Sequence, residues 1–207
     1  KNTSNEKLSY KQKQNIFAMS LIILSAKLSK VDGHVSKDEL IAIKEKLKIP
    51  ESEIEQVARI FNKAKEDSLG FEPYAEQISV FFQDNINLLE EVINILFYIA
   101  EADGKVTQSE ENMIANIASI FNLSQYQFES IKESRKSQEN FNPYIVLESL
   151  PTDDISTIRT RYIRLSKQHH PDLLLSKGLP KEVINQSKIK MRTINSAWEK
   201  VQSLKKA

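Results

Sequence analysis

The sequence predicts an all-α protein, and three observations carry that prediction. In each segment described below, apolar residues recur at three- and four-residue intervals, the period of an amphipathic helix rather than of a strand. Glycine and proline are scarce, four and six in 207 residues, while Leu, Ile, Lys, Glu, Ser and Asn are plentiful. And an apolar helical stretch followed by Asp-Gly and then Ser/Thr-x-x-Glu occurs twice, 71 positions apart, so the first two-thirds of the chain is built on an internal repeat.

The first copy reads Ile22-Ile23-Leu24-x-x-x-Leu28-x-x-Val31-Asp32-Gly33-x-Val35-Ser36-x-x-Glu39. The second reads Ile93-Asn94-Ile95-x-x-x-Ile99-x-x-Ala102-Asp103-Gly104-x-Val106-Thr107-x-x-Glu110. Each predicts an apolar helix, a tight turn at Asp-Gly and a new helix opened by a capping box, in which the hydroxyl and the carboxylate satisfy each other's orphan amides. Helical patterns lie between the copies, near Ser52 to Glu66 and Pro73 to Asn85. After the second copy Ser124 with Gln127 opens a short helix reaching Ser134. These elements predict a helical domain over residues 1–135. The polar stretch Lys132 to Phe141 holds the expected linker, over residues 136–141, and a second domain fills residues 142–207.

That second domain reads as a helical hairpin. From Ile155 to His169 a helix is expected with Ile155, Ile158, Tyr162 and Leu165 on one buried stripe. Its remaining face carries Arg159, Arg161, Arg164 and Lys167, and the helix contains no acid. After a loop closed by Gly178 and Pro180, a second helix from about Lys181 to Leu204 has the stripe Ile184, Met191, Ile194, Trp198 and Val201. Antiparallel packing of the two places His170-Pro171-Asp172 at the exposed tip. Pro171 drives His170 out of the helical region, so the imidazole and the carboxylate stand on a stiff turn.

Composition excludes several function classes. Charge is balanced, 29 basic against 28 acidic residues for a net +1, which carries no global signature for nucleic acid or an anionic membrane. Cysteine is absent, so disulfides and thiolate metal sites are excluded, consistent with a reducing compartment. No apolar run approaches the roughly 18 to 20 residues that cross a bilayer, and no signal peptide is evident. The chain begins with Lys1, and a fragment of a longer protein is expected.

Catalysis and metal binding find little support. The histidines are His34, His169 and His170; His34 reads as a solvated turn residue, and adjacent histidines cannot share a helix face. No zinc motif, Gly-rich phosphate loop or nucleophile elbow occurs. The Asp-Gly turns match the second half of an EF-hand loop, but position one would fall on Leu28 and Ile99, so a calcium loop is not expected. A metal site joining Asp32, Glu39, Asp103 and Glu110 across the two copies stands beside the plainer reading, in which Asp-Gly turns the chain and Glu caps the helix. No cofactor and no catalytic residue is expected. The tripeptide reads as a recognition element, and the basic helix face calls for an anionic partner, either phosphates or an acidic protein surface.

Four blocks in register resemble the J domain of DnaJ-type co-chaperones: Pro143-Tyr144-x-x-Leu147, then Ile158-Arg159-x-x-Tyr162-x-Arg164-Leu165, then His170-Pro171-Asp172, then Ile194-Asn195-x-Ala197-Trp198. The repeated D-G-x-V-[ST]-x-x-E is similar to the tellurite-resistance TerB-like helical domain. The order of the two resembles the DjlA family of bacterial membrane-anchored DnaJ-like proteins, and His169 to Pro180 is especially close to that family's J domain. The resemblance implies a co-chaperone, not an enzyme, that docks on a DnaK-type chaperone and stimulates its ATP hydrolysis. Arg159, Arg164 and Lys167 would steer and hold the acidic partner, His170 and Asp172 would make the specific contacts, Pro171 would fix their geometry, and the Tyr162 hydroxyl would reach toward the partner. It implies an acidic protein surface rather than nucleic acid, an unknown partner for the TerB-like domain, and a cytoplasmic location with a membrane anchor before residue 1. Two departures lower the expected charge of the docking face: Ile163 and Leu173 stand where the family often has basic residues. The contrasting reading is a helical scaffold or stress-sensing adaptor, metal-binding through the repeat, with a weakly active J domain.

Overall fold

The computed structural model of the chain describes residues 10–31, 41–45, 49, 51–102, 104–136, 140–176 and 181–206. Among these the secondary structure is helical and no strand occurs. The elements are α1 (Tyr10–Val31), α2 (Ile54–Glu66, entered through a 3-10 turn at Glu51–Glu53), α3 (Glu72–Phe82), α4 (Ile86–Ala100), α5 (Gln108–Ile120), α6 (Gln125–Ser134), α7 (Pro143–Val146), α8 (Ile155–Gln168), α9 (Pro171–Ser176) and α10 (Lys181–Leu204). A further helical segment covers 41–45. No helix of the described residues is long and apolar enough to cross a membrane.

The N-terminal bundle is organised around α4. Ile93, Ile95, Leu96, Ile99 and Ala100 are almost wholly inaccessible, and Leu88, Leu89 and Val92 extend the same burial around the helix. A helix that is apolar on nearly every side belongs at the centre of its domain, and here α1, α3, α5 and α6 pack against it. Phe17 of α1 meets Phe82 of α3 edge to face, with ring centroids 6.1 Å apart. Lys27 is the buried cation of this bundle, and it is held: its ammonium donates to the carbonyls of Asp67 (3.0 Å) and Leu69 (2.6 Å). Tyr74 donates to the Asp67 carboxylate, and that hydrogen bond, followed by one from the Leu69 amide, holds the carboxyl below its usual range.

Local signals in the second repeat copy are realised atom by atom. Thr107 Oγ1 accepts from Glu110 N at 3.2 Å, while Glu110 Oε2 accepts from Thr107 N at 2.7 Å, closing the predicted capping box. Ser124 and Gln127 close a second one at the start of α6. Gly104 has φ 136°, the left-handed side that only glycine adopts cheaply. The first copy's Asp32, Gly33, His34, Ser36 and Glu39, and Asp103 of the second, lie outside the described residues. Glu110, the one described member of that carboxylate set, turns Oε2 to the cap, accepting from both the amide and the hydroxyl of Thr107. No group of three or more metal-ligating side chains stands together among the described residues.

The C-terminal unit has a separate, smaller core of Phe141, Val146, Leu147, Ile158, Leu165, Ile194, Ala197 and Val201. Tyr162 stacks on Trp198 at its edge, rings 5.1 Å apart and 11° from parallel. The predicted stripe of α8 is corrected at one end: Ile155 is 43% exposed, because Asp154 caps the helix immediately before it. On α10 the buried positions include Ala197 and Ser187, which an apolar count passes over, and the side chain of Ile184 lies outside the described part. The polar stretch expected to link the domains begins inside structure. Lys132 pairs with Glu111 at 2.5 Å, Arg135 with Glu101, and the Glu133 carboxylate accepts from Asn142 N at 2.5 Å. The short helix α7 then packs against both α6 and α10.

Among the described residues two other than glycine have positive φ, Asn122 (56°) and Glu148 (52°). Both occupy the same place in a Schellman ending. Leu123 N donates to Ala118 O and Asn122 N to Ser119 O after α5; Ser149 N donates to Tyr144 O and Glu148 N to Ile145 O after α7. An L-residue in this region costs about 1–2 kcal/mol, and the cost at Glu148 is met by two arginines from α8. Arg161 donates to its carbonyl at 2.6 Å, and Arg164 pairs with its carboxylate.

Candidate functional site

The site begins where α8 ends. His169 caps the helix, with its amide on Leu165 O at 2.9 Å, and His170 has left the helical pattern. Pro171 then opens α9, a helix that the sequence reading did not include. A proline whose amide is an orphan in any case and whose φ suits a first turn both stops the helix before it and starts the one after. The His170 carbonyl accepts from Leu173 N at 3.1 Å, and His170 Nδ1 accepts from Asp172 N at 3.3 Å. The imidazole and the carboxylate thus sit on one stiff turn, Nδ1 and Oδ2 3.7 Å apart, with side chains 52% and 83% exposed. Gly178 and Pro180, expected to close the loop, lie outside the described residues.

The basic face of α8 divides in two. Arg159 and Lys167 are exposed and make neither hydrogen bond nor ion pair among the described residues. Arg161 is turned inward, bridging Asp153 Oδ2 at 2.7 Å and the Glu148 carbonyl. Arg164 remains half-exposed but is paired with Glu148. Tyr162 is half-buried against Trp198, and its hydroxyl donates to Asn195 Oδ1 at 3.3 Å. Ile163 and Leu173 are both about two-fifths exposed, at 41% and 40%, so the departures from the expected charge pattern fall on solvent-facing positions.

His169 and His170 face opposite ways. His169 is 5% exposed, with Nε2 3.4 Å from Glu90 Oε2 on α4. Around that contact lies a seam of polar groups between the bundle and the hairpin. Asn87 Nδ2 donates to the Gln168 carbonyl at 2.6 Å, and Gln168 Nε2 donates back to Asn87 Oδ1 at 3.3 Å. Gln127 donates to Glu90 Oε1 at 2.9 Å. Lys190 of α10 donates to Ser130 and Ser134 of α6 at 3.1 and 3.2 Å. Burial works against charge throughout: it raises the Glu90 carboxyl, lowers the Lys190 ammonium, and with Lys190 nearby pushes the His169 imidazole down to about 3. His169 is therefore neutral at physiological pH. None of these residues was read from sequence as part of a contact between the two domains. The available signal was Glu90-Glu91 in the middle of an otherwise apolar helix, since a buried acid implies a polar partner from elsewhere in the fold.

Residues 18–133, more than half of the chain, match the family model described as tellurite resistance protein TerB. The co-chaperone protein DjlA of Vibrio parahaemolyticus is 23% identical, covering 94% of this chain and 80% of its own length. Those of Coxiella burnetii and Legionella pneumophila are 22% and 24% identical over 93% and 90% of this chain, and 78% and 76% of their own lengths. No solved structure matches the chain. The family match across more than half of the chain, on a bundle that is helical among the described residues, establishes that the protein belongs to the TerB family, in a form similar to the DjlA co-chaperones along nearly all of its length.

Proposed function

We propose that the chain is a J-domain co-chaperone that docks on a DnaK-type heat-shock chaperone and stimulates its ATP hydrolysis. In this reading residues 1–135 form a TerB-like module for partner recognition or regulation, 136–141 a connection, and 142–207 the J domain. The observation that carries the reading is the exposed His170-Pro171-Asp172 turn at the end of a helix whose solvent face is basic and whose opposite face is buried. The co-chaperone names of the relatives support it. Arg159 and Lys167 supply charge free to meet an acidic surface, Arg164 supplies shared charge, and His170 and Asp172 offer a donor–acceptor pair already set in place by Pro171. Tyr162 supports the helix from below through Trp198 rather than reaching out. The role is that of a non-catalytic regulator, and attachment to the cytoplasmic face of a membrane through a segment before residue 1 belongs to the same proposal.

Single-turnover ATP hydrolysis by a bacterial DnaK, with and without the chain, tests the reading. The wild-type chain is expected to accelerate it, and His170→Gln to return it close to background. An exposed turn residue contributes little to the core, so this variant should melt as the wild type does. Full stimulation by a folded His170→Gln protein overturns the assignment.

A further inference from the structure

Two modules joined only by a tether would not bury acids against each other. Here Glu90 and Glu91 are 6% and 5% exposed, and His169 is 5% exposed. Groups from both sides meet there: Gln168 at the end of α8, His169 just after it and Lys190 of α10 reach Asn87, Glu90, Ser130 and Ser134 of the bundle, while within the bundle Gln127 donates to Glu90 and Asn94 to Glu91. Such a seam is satisfied in one register only, because a slip strands several buried polar groups at once. An apolar contact of the same area would tolerate sliding. The seam also touches the chain at a particular place. Gln168 and His169 are the two residues before His170, so whatever fixes their backbone fixes the start of the exposed turn.

We propose that the N-terminal bundle positions the His170-Pro171-Asp172 turn, with Asn87 and Glu90 as positioning residues for chaperone stimulation, Gln127 orienting Glu90, and Lys190 locking α10 to α6. This rests on the docking function proposed above. The bundle is then part of the stimulating apparatus itself, in addition to any partner it recognises. It acts from behind the turn: Arg159, Lys167, His170 and Asp172 stay exposed while the seam is buried. The consequence is separable from affinity. Loosening the seam leaves the basic face intact, so docking persists, while the turn spends less time in the geometry that triggers hydrolysis.

The test uses the full chain in two measurements. The first is amide hydrogen exchange at His169, His170, Asp172 and Leu173, which reports the turn without any partner. The second is the concentration dependence of DnaK single-turnover stimulation, which separates maximal stimulation from the half-saturating concentration. In Asn87→Ala and Glu90→Ala, exchange at the four amides should quicken about tenfold. Maximal stimulation should fall about fivefold, with the half-saturating concentration within about twofold of wild type. Glu90→Gln keeps an acceptor for Gln127 and carries no buried charge, so it should behave as wild type; a purely steric role for Glu90 does not predict the contrast with alanine. Lys190→Met keeps the apolar stem and serves as an independent break of the seam should Asn87→Ala fail to fold. Unchanged exchange in folded variants overturns the proposal, and so does a loss confined to half-saturation. A wild-type chain that fails to stimulate, with exchange still quickened in the variants, overturns the docking function and supports the positioning of the turn.

Discussion

The bundle and the hairpin solve the problem of burial in different ways. The bundle surrounds α4 with apolar neighbours and ties Lys27 to the carbonyls of Asp67 and Leu69, while its buried Glu90 lies at the seam with the hairpin. The C-terminal unit has eight buried apolar residues among those described and depends on stacking, capped turns and a polar seam with its neighbour. The large core supplies stability, and under the function proposed above the small unit would keep its surface free for recognition while drawing its orientation from the bundle. That difference teaches where mutations should be felt: as lost stability in one region, as lost geometry in the other.

The comparison breaks first if the bundle tolerates truncation. Leu96→Ala removes a wholly buried side chain of α4 and should cost about 2–5 kcal/mol by denaturant titration. A cost under about 1 kcal/mol would mean that α4 is not the centre of the fold.

The seam should reveal itself through pH. The His169 pKa falls from 6.5 to about 3 on folding. Below pH 6.5 the unfolded chain therefore takes up a proton that the folded one refuses, and stability declines as pH falls toward 3. The slope from this group approaches about 1.4 kcal/mol per pH unit. Burial raises Glu90, which acts in the opposite sense above its unfolded value. Subtracting the profile of His169→Gln from that of wild type isolates the histidine, and identical profiles between pH 4 and 7 would remove it from the buried seam.

Reversals on α8 sharpen the division of its basic face. Arg164→Glu sets a second carboxylate against Glu148 and should cost about 1–2 kcal/mol, whereas Arg159→Glu should stay within about 0.5 kcal/mol. Both should slow association with an acidic partner more than they alter dissociation. Equal stability losses would show that the Glu148 pair is not structural. The cap of α5 gives a modest and then a small effect: Thr107→Ala should lower stability by about 1 kcal/mol. Glu110→Gln should change it by a few tenths, since glutamine also closes the capping box. Thermal denaturation reads both, and a chelator that lowers the wild-type melting temperature by several degrees would instead assign Glu110 to a cation.

What was legible in the sequence follows from the range of each interaction. The capping boxes at Thr107 and Ser124 could be read because both partners lie within four residues. The α8 and α10 stripes could be read because one periodicity sets them. The exposed tripeptide followed from the restriction that Pro171 places on His170. The seam was hidden because Asn87 and Gln168 lie 81 positions apart, and nothing local tells Glu90 that its neighbour is His169. The endings at Asn122 and Glu148 were hidden for another reason: the residue usual in a left-handed C-cap is glycine, asparagine being the rarer choice, and at Glu148 contacts with Arg161 and Arg164 stand in for it. The short helix α9 escaped because Pro171 read only as a stop.

Glu148 has a consequence for the field that the protein projects. By pairing with Arg164, beside the Asp153 carboxylate that pairs with Arg161, it helps neutralise near its source much of the positive potential that α8 would otherwise send outward. At physiological ionic strength, fields fade over about 8 Å. A partner approaching this face would then be drawn chiefly by Arg159 and Lys167, one near each end of the helix. Attraction from two separated points selects an alignment along the helix axis as well as a sign of charge. The residue that bends the backbone into a left-handed turn thereby also narrows the directions from which docking begins.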